Sequence, residues 1–190
     1  MSKTRTFIAV AAEGEVHVAA QTAIDRLRSA AENVKWVGPD NLHWTLHFLD
    51  LDDVEVAAVC RRTVDAAGQL EPFVLAAEGV SAFPAVDRPR TLYLGAGQGS
   101  EEFVHLHGEL EGRLADLGFR GERRRFVPHL TLGRVGRGSH GGEVLAERVA
   151  KLSNYDGGQM EVAEVTVFAS ELGPDGPSYH VLATAPLGRD

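Results

Sequence analysis

The chain carries one four-residue pattern twice, and this duplication restricts what it can fold into more than any other feature. Residues 43–46 read His-Trp-Thr-Leu and residues 129–132 read His-Leu-Thr-Leu. Both copies lie in apolar, β-branched surroundings, which predicts a strand at each place. On a strand, a threonine two residues after a histidine lies on the same face. Each copy therefore aims an imidazole and a hydroxyl in one direction.

The order of predicted elements around the two copies is also repeated. In the first half a strand, a helix, the motif strand, a second helix and a long strand are predicted at residues 6–10, 16–33, 42–49, 54–67 and 73–83. In the second half the same order is predicted at residues 91–94, 101–117, 126–135, 143–152 and 160–169. The distance from the first strand to the motif histidine is also equal in the two halves, Ile8 to His43 and Leu94 to His129. We therefore predict two pseudo-symmetric β-α-β-α-β lobes, whose motif strands lie side by side or face each other across a groove.

The two lobes are expected to form one domain over residues 1–190. The repeats cover about 4–85 and 88–172, and a C-terminal strand at 178–185 completes a sheet. No long linker or low-complexity segment separates them, and 190 residues suffice for one shared core.

Charge and cysteine content narrow the function classes. The formal net charge is −8, which argues against a wide nucleic-acid-binding surface but not against a small pocket for one phosphate. Cys60 is the single cysteine, which excludes an internal disulfide framework and fits a reducing cytoplasm. No signal peptide and no bilayer-spanning apolar run are recognised, so a cytoplasmic protein with no membrane partner is expected.

Two histidines that face each other can run acid–base chemistry without a metal. One imidazole takes a proton from the nucleophile while the other gives one to the leaving group. In the first motif strand, alternation places His43, Thr45 and His47 on one face, with Trp44 and Phe48 on the other.

In the second motif strand, His129 and Thr131 share a face. The same alternation turns Arg134 away from that face, unless a β-bulge at Gly133 reverses it. Arg124 lies five residues before His129, in the run 123–125 of three arginines, and this proximity to a candidate catalytic histidine favours a functional role over a solvated surface.

Two other patterns have structural interpretations. Residues 95–100, Gly-Ala-Gly-Gln-Gly-Ser, resemble a dinucleotide-binding fingerprint, but the spacing is wrong and we predict a loop and a helix start. His43 and His47 have the spacing of a zinc-binding helix, but the strand context opposes it.

A family resemblance rests on residues spread over most of the chain. They are Arg5-Thr6-Phe7-Ile8-Ala9-Val10, Trp36-Val37, Asp40-Asn41-Leu42-His43-Trp44-Thr45-Leu46-His47-Phe48-Leu49, Arg124, Phe126-Val127-Pro128-His129-Leu130-Thr131-Leu132-Gly133-Arg134, 165–171 and Tyr179-His180-Val181-Leu182. The chain resembles the 2H phosphoesterase superfamily with its His-x-Thr-x motifs, specifically the RNA 2′,3′-cyclic phosphodiesterase branch, also known as bacterial 2′-5′ RNA ligase-like proteins. One departure is Asp50, where many relatives have glycine.

The resemblance implies an α+β fold of two pseudo-symmetric lobes, with antiparallel or mixed sheets flanking a central groove. It also implies hydrolysis of RNA 2′,3′-cyclic phosphate termini to 2′-phosphomonoesters by a monomer, with no metal and no cofactor. By analogy His43 is the proton donor and His129 the proton acceptor, although the near symmetry of the motifs leaves the reverse open. Thr45 and Thr131 would hydrogen-bond the non-bridging oxygens, and the bound partner would be an RNA terminus or a nucleotide bearing the cyclic phosphate.

Arg124 and Arg134 are the residues that the resemblance implies for added charge stabilisation. Three alternatives stay open at this point: ligation of a 2′-5′ linkage, a cyclic phosphodiesterase acting on a nucleotide metabolite, and a non-catalytic nucleotide-binding module.

Overall fold

The computed structural model describes residues 3–121, 123–137, 142–174 and 176–188. Its four α-helices are α1 Gly14–Arg28, α2 Asp53–Ala67, α3 Ser100–Ala115 and α4 Gly142–Lys151. Its nine strands are β1 Thr4–Ala11, β2 Val34–Trp36, β3 His43–Leu51, β4 Phe73–Phe83, β5 Thr91–Ala96, β6 His129–Val135, β7 Asp156–Val162, β8 Glu164–Gly173 and β9 Gly176–Pro186. The prediction of an α+β fold is confirmed.

Helix starts follow from local sequence chemistry. At α2, the Asp52 carboxylate accepts hydrogen bonds from the backbone N–H groups of Val54 and Glu55, and the Glu55 carboxylate accepts one from the Asp52 N–H. This capping box satisfies donors that a helix start otherwise leaves unpaired. At α3, Gly99 has a φ of 82° and a Cβ there would lie 2.1 Å from the Val74 carbonyl oxygen. The glycine run thus serves the turn into a helix, as predicted.

The described strands form one sheet in which every pairing is antiparallel. Its strand order is β7-β4-β5-β6-β3-β1-β8-β9, and β2 pairs with β6 outside that path. The two motif strands, β6 and β3, are therefore central neighbours. They are joined through the Trp44–Leu130 pair, so the sheet can curl at this point while the motifs stay adjacent.

Each half of the sheet contains a strand from the other half of the sequence. β4 pairs with β5 and β7, although it belongs to the first repeat. β8 pairs with β1 and β9, although it follows the second repeat's helix. The single strand predicted at 160–169 is wrong: β7 ends at Val162 and β8 begins at Glu164. Residues 160–169 contain no glycine or proline, so the local sequence does not signal the break between β7 and β8.

The helices cover the face of the sheet opposite to the histidines. Trp44 is fully buried there and its ring lies 6.2 Å from that of Phe103 on α3. α1 packs mainly on β7, and α2 packs on α3, β8 and β9. Most of the buried apolar side chains form one continuous core. Among the described residues, no helix has the length and apolar character that crossing a bilayer requires.

Candidate active site

The two motifs lie side by side on the open face of the sheet. Trp44 pairs with Leu130 in antiparallel register, which sets His43 opposite Thr131 and Thr45 opposite His129. The two histidines are then diagonal neighbours on one face, a relation in which Cα atoms are typically about 7–8 Å apart. Trp44 and Leu130 point to the buried side and fix this arrangement from below.

Both imidazole rings are oriented by the same kind of hydrogen bond. The Nδ1–H of His43 donates to the Asn41 carbonyl oxygen at 2.6 Å, and the Nδ1–H of His129 donates to the Val127 carbonyl oxygen at 2.8 Å. Because a carbonyl oxygen only accepts, the neutral ring carries its proton on Nδ1. Nε2 is therefore the nitrogen through which each ring exchanges protons, as in metal-free histidine catalysis.

Aromatic side chains of β1 and β9 pack against His43. Its ring centroid lies 4.8 Å from that of Phe7 on β1 and 5.5 Å from that of Tyr179 on β9, where the contact is edge-on. Phe7 also stacks on Phe168 of β8, with centroids 5.0 Å apart. These rings hold the imidazole against β1 and β8.

The second histidine has an equivalent aromatic support. The ring of His129 meets those of Phe83 and Tyr93 edge-on, at 5.0 and 5.5 Å. Phe83 and Tyr93 stack on each other at 4.2 Å. Tyr93 precedes Leu94 just as Phe7 precedes Ile8, so the repeat seen in the sequence contained this signal, although sequence reasoning missed both aromatic supports.

A β-bulge changes which side chains of β3 face the groove. Ile8 pairs with His47 and Ala9 pairs with Thr45, so Leu46 is an extra residue in β3. The prediction that His47 shares a face with His43 and Thr45 is therefore wrong.

Beyond the bulge, His47 turns toward the helices and its neighbour turns toward the groove. The His47 ring stacks on that of His107 in α3, with centroids 4.3 Å apart, and its Nε2–H donates to the His107 carbonyl oxygen at 3.2 Å. Burial lowers the pKa of His107 to about 4, so this ring is neutral at pH 7. Phe48, predicted on the buried face, instead lines the groove and is exposed.

A matching bulge in β6 brings Arg134 to the histidines. Leu92 pairs with Gly133 and Tyr93 pairs with Thr131, so Leu132 is the extra residue. Arg134 consequently faces the groove. Strand alternation alone predicts the opposite orientation, and a β-bulge is the exception that the sequence left open. The Arg134 Nη1–H donates to the Thr91 hydroxyl at 3.3 Å, and its charge contributes to lowering the pKa of His43.

The histidines and threonines of both motifs line a groove of about 760 Å³. Among the described residues, three basic side chains also line it, Arg5, Lys35 and Arg134, against one acidic side chain, Asp50. A protein with a net charge of −8 therefore has a locally basic groove at its paired histidines. This is the charge pattern that a small anionic ligand requires.

His43 is predominantly uncharged in the free protein. Burial is the main cause that lowers its pKa, and the nearby charges of Arg134 and His129 lower it further. The hydrogen bond to the Asn41 carbonyl opposes them. A pKa below the ordinary 6.5 means that the neutral ring predominates at pH 7.

Arg124 lies at a second, smaller cavity beside α3. It is exposed, and this cavity of about 120 Å³ is lined by residues that include Thr45, His47, His107, Arg120 and Phe126. His129 borders both cavities. Of the two candidate arginines, Arg134 therefore lines the groove that holds both histidines, and Arg124 lines the smaller cavity. Within the described ranges, no group of three or more His, Cys, Asp or Glu side chains is placed to hold a metal ion.

Comparison with known proteins finds one family over most of the chain. A family model described as the 2′-5′ RNA ligase superfamily matches residues 15–173. A protein named RNA 2′,3′-cyclic phosphodiesterase from Methanothermobacter thermautotrophicus is 36% identical over 178 residues, which are 93% of this chain and 95% of the relative. One of the same name from Archaeoglobus fulgidus is 34% identical over 176 residues, 92% of this chain and 96% of the relative.

Solved structures share the fold. The crystal structure of TT0787 of Thermus thermophilus superimposes with a TM-score of 0.82 at 26% identity, covering 98% of this chain and 100% of that one. E. coli LigT complexed with 3′-AMP superimposes with a TM-score of 0.73 at 23% identity, covering 99% and 100%. The family model and the named relatives confirm the resemblance read from the sequence, and the solved structures confirm the fold.

Proposed function

The chain belongs to the 2′-5′ RNA ligase superfamily, and on that premise we propose that it is an RNA 2′,3′-cyclic 3′-phosphodiesterase, which opens the cyclic phosphate at an RNA terminus to a 2′-phosphomonoester. Relatives at up to 36% identity over almost the whole chain carry the name of that activity. The single observation that supports it most is the pair of His-x-Thr motifs on adjacent central strands, each imidazole held through Nδ1 by a backbone carbonyl.

In the proposed reaction, water attacks phosphorus and the bond from phosphorus to the 3′ oxygen breaks. His129 takes the proton of the water through Nε2, and His43 gives a proton to the departing 3′ oxygen. The hydroxyls of Thr45 and Thr131 donate to the non-bridging oxygens. The strain of the five-membered ring lowers the barrier, so positioned imidazoles and nearby positive charge suffice for the reaction.

The assignment of His43 as donor requires that it be charged when the substrate is bound. Burial favours the neutral ring in the free protein. A phosphate anion placed against the ring favours the imidazolium and raises the pKa of His43 in the complex. We therefore propose that His43 takes up its proton as the cyclic phosphate binds.

The proposed compartment, oligomeric state and domain organisation follow from the sequence features. We propose a cytoplasmic monomer, formed as a single domain by repeats 4–85 and 88–172 with strand 178–185, that acts on RNA ends or nucleotides bearing a 2′,3′-cyclic phosphate. The single thiol, Cys60, suits a reducing compartment. The basic groove suits one phosphate and its nucleotide rather than a long duplex.

We expect hydrolysis to proceed without a divalent ion. The purified protein, treated with EDTA, should convert an oligoribonucleotide that ends in a 2′,3′-cyclic phosphate into the 2′-phosphomonoester at an unchanged rate. Chromatography against synthetic 2′- and 3′-phosphate standards identifies the product. Activity that disappears with EDTA and returns with Mg²⁺ or Mn²⁺ would overturn metal independence, and no turnover under any condition would overturn the proposed function.

Arg134→Ala is expected to lower kcat/KM for adenosine 2′,3′-cyclic phosphate by about 10²-fold, because Arg134 lines the groove with both histidines and its charge acts on His43. Arg124→Ala, which changes a residue of the second cavity, should lower it by less than about tenfold. Steady-state kinetics on this mononucleotide measure both. Arg123→Ala removes the same charge from an exposed position outside the lining of both cavities and serves as the control. A greater loss in Arg124→Ala than in Arg134→Ala would assign the phosphate contact to Arg124.

A further inference from the structure

Asn41 contacts two separate parts of the candidate site. Its backbone carbonyl oxygen accepts the Nδ1–H of His43 at 2.6 Å, and its side-chain Nδ2–H donates to the carbonyl oxygen of Pro177 at 3.1 Å. Pro177 lies in β9, 136 positions further along the chain. One residue therefore joins the ring of His43 to the β8–β9 hairpin.

We propose that Asn41 is a positioning residue for His43: through Pro177 it holds Tyr179 of β9 over the imidazole, so that the ring stays covered and aimed at the leaving oxygen. The inference rests on the hydrolytic function proposed above, which makes His43 the proton donor. Asn41 transfers no proton itself and acts through the two groups that it ties together.

The hairpin end that Asn41 holds extends beyond the core of the protein. β9 is the last strand in the order of the described sheet, and it pairs with β8. Near the turn, residues 171–174 and 178 are exposed, whereas Ala185 at the other end of β9 is buried. A strand end with few buried apolar contacts is prone to open locally. The amide of Asn41 ties this end to the residues that lead into β3.

Tyr179 is the side chain that this tie brings to the proposed donor. It lies two residues after Pro177 and therefore on the same face of β9. Its ring meets that of His43 edge-on at 5.5 Å and that of Phe7 edge-on at 4.8 Å. If the hairpin end moved away, His43 would lose this aromatic contact and part of its cover from water.

Cover matters because burial is the largest of the effects that lower the pKa of His43. The charged or titratable groups around the ring are His129 and Arg134 on β6 and Tyr179 on β9, and β1 presents the uncharged Phe7. An imidazole that is more hydrated has a pKa nearer the ordinary 6.5. An imidazole that is free to turn also points Nε2 at the leaving oxygen for less of the time, which slows proton donation.

The equivalent position in the second half of the site offers no hydrogen-bonding side chain. The carbonyl that holds His129 belongs to Val127, which takes the place of Asn41 two residues before its histidine. The Val127 side chain is apolar and 43% exposed. The tie is therefore specific to the half that carries the proposed donor.

Asn41→Ala removes the bond to Pro177 and keeps the backbone carbonyl that holds His43. With adenosine 2′,3′-cyclic phosphate, we expect kcat to fall by about tenfold, a fraction of what a positioned acid contributes, and KM to change by less than about threefold. With bis(4-nitrophenyl) phosphate, whose 4-nitrophenolate leaves without a proton, the rate should fall by less than about twofold. Asn41→Leu, which keeps the volume and lacks the donor, should behave like Asn41→Ala.

The free protein gives an independent measurement. Histidine ¹⁵N NMR of Asn41→Ala should show the pKa of His43 raised toward 6.5, with the proton of the neutral ring still on Nδ1. Tyr179→Ala should raise this pKa in the same way, and the double variant should add little, because both changes remove the same cover. Asn154→Ala, the same replacement at an exposed position outside the groove lining, is the control and should leave kcat and the pKa of His43 unchanged.

The outcomes separate the two proposals. No hydrolysis by the wild-type protein would overturn the proposed function, while the NMR comparison still tests the link between Asn41 and His43. An unchanged kcat in Asn41→Ala, or an unchanged pKa of His43, would overturn the role of Asn41 and leave the function intact. Equal losses on the two substrates would show a general structural effect, and a raised KM with an unchanged kcat would show a direct contact with the substrate. Both of these results contradict the inference.

Discussion

Replacing His43 or His129 by alanine is expected to lower kcat for a 2′,3′-cyclic phosphate by about 10²- to 10⁴-fold, the usual contribution of a positioned acid or base. Both rings are held by Nδ1 hydrogen bonds to backbone carbonyls, so each loss removes a preorganised group. Because the two act in one step, the double variant should lose less than the product of the single losses. Single-turnover kinetics on each variant measure this.

A substrate with a better leaving group separates the donor from the acceptor. In an activated substrate such as bis(4-nitrophenyl) phosphate, the 4-nitrophenolate departs without being protonated. His43→Ala should therefore recover much of its lost activity on this substrate, whereas His129→Ala should not. The opposite pattern would exchange the two roles, and a near wild-type rate in either alanine variant would remove that histidine from the mechanism.

The largest expected effect on stability is at Trp44, between His43 and Thr45. Trp44 is fully buried and packs near Phe103, so Trp44→Ala would leave a large cavity beneath both motifs. We expect the free energy of unfolding to fall by about 3–5 kcal/mol, measured by urea denaturation. Since Trp44 is also the residue that pairs with Leu130, the loss should extend to the register that sets the histidines side by side.

Trp44→Phe is the matched control for this effect. The indole Nε1–H of Trp44 is buried with no hydrogen-bond partner among the described residues, so its removal relieves a desolvation penalty while phenylalanine refills most of the space. The expected loss is about 1 kcal/mol. Equal losses in the two variants would show that packing volume is not what Trp44 contributes.

The sequence correctly predicted both motif strands and the face on which their first residues lie, because alternation along a strand is a local property. It placed His43 with Thr45 and His129 with Thr131, and the structure puts these four side chains at one groove. It failed at His47 and Phe48 because a bulge depends on how β3 pairs with β1. Arg134 was underrated for the same reason, since the bulge in β6 depends on its pairing with β5.

The preference for Arg124 rested on its place in the family resemblance and on its proximity in sequence to His129. Arg124 lies five residues before His129, but the chain between them is irregular until β6 begins at His129. Over such a segment alternation does not hold, and Arg124 borders the smaller cavity. Arg134 is equally close in sequence but lies on the same strand as His129, so regular structure fixes where it points.

The crossing from β7 to β8 could not be predicted for a different reason. Residues 160–169 have strand character throughout, and which strand pairs with which is decided by contacts distant in sequence. The duplicated order of elements predicted the pseudo-symmetry but not the exchange of β4 and β8 between the two halves of the sheet.

The exchange of strands has a consequence for how the reaction is timed. A hinge that opened the groove would have to break the Trp44–Leu130 pairing of β3 with β6 and the packing of α2 on α3, because these tie the two halves together in addition to the crossing chain. Domain closure is therefore an energetically unfavourable motion here, and the distance between the two imidazoles is set by backbone ladders before any ligand arrives. An enzyme built in this way does little reorganisation on the path to the transition state. Its turnover should be governed by proton transfer and product dissociation rather than by the opening and closing of a lid.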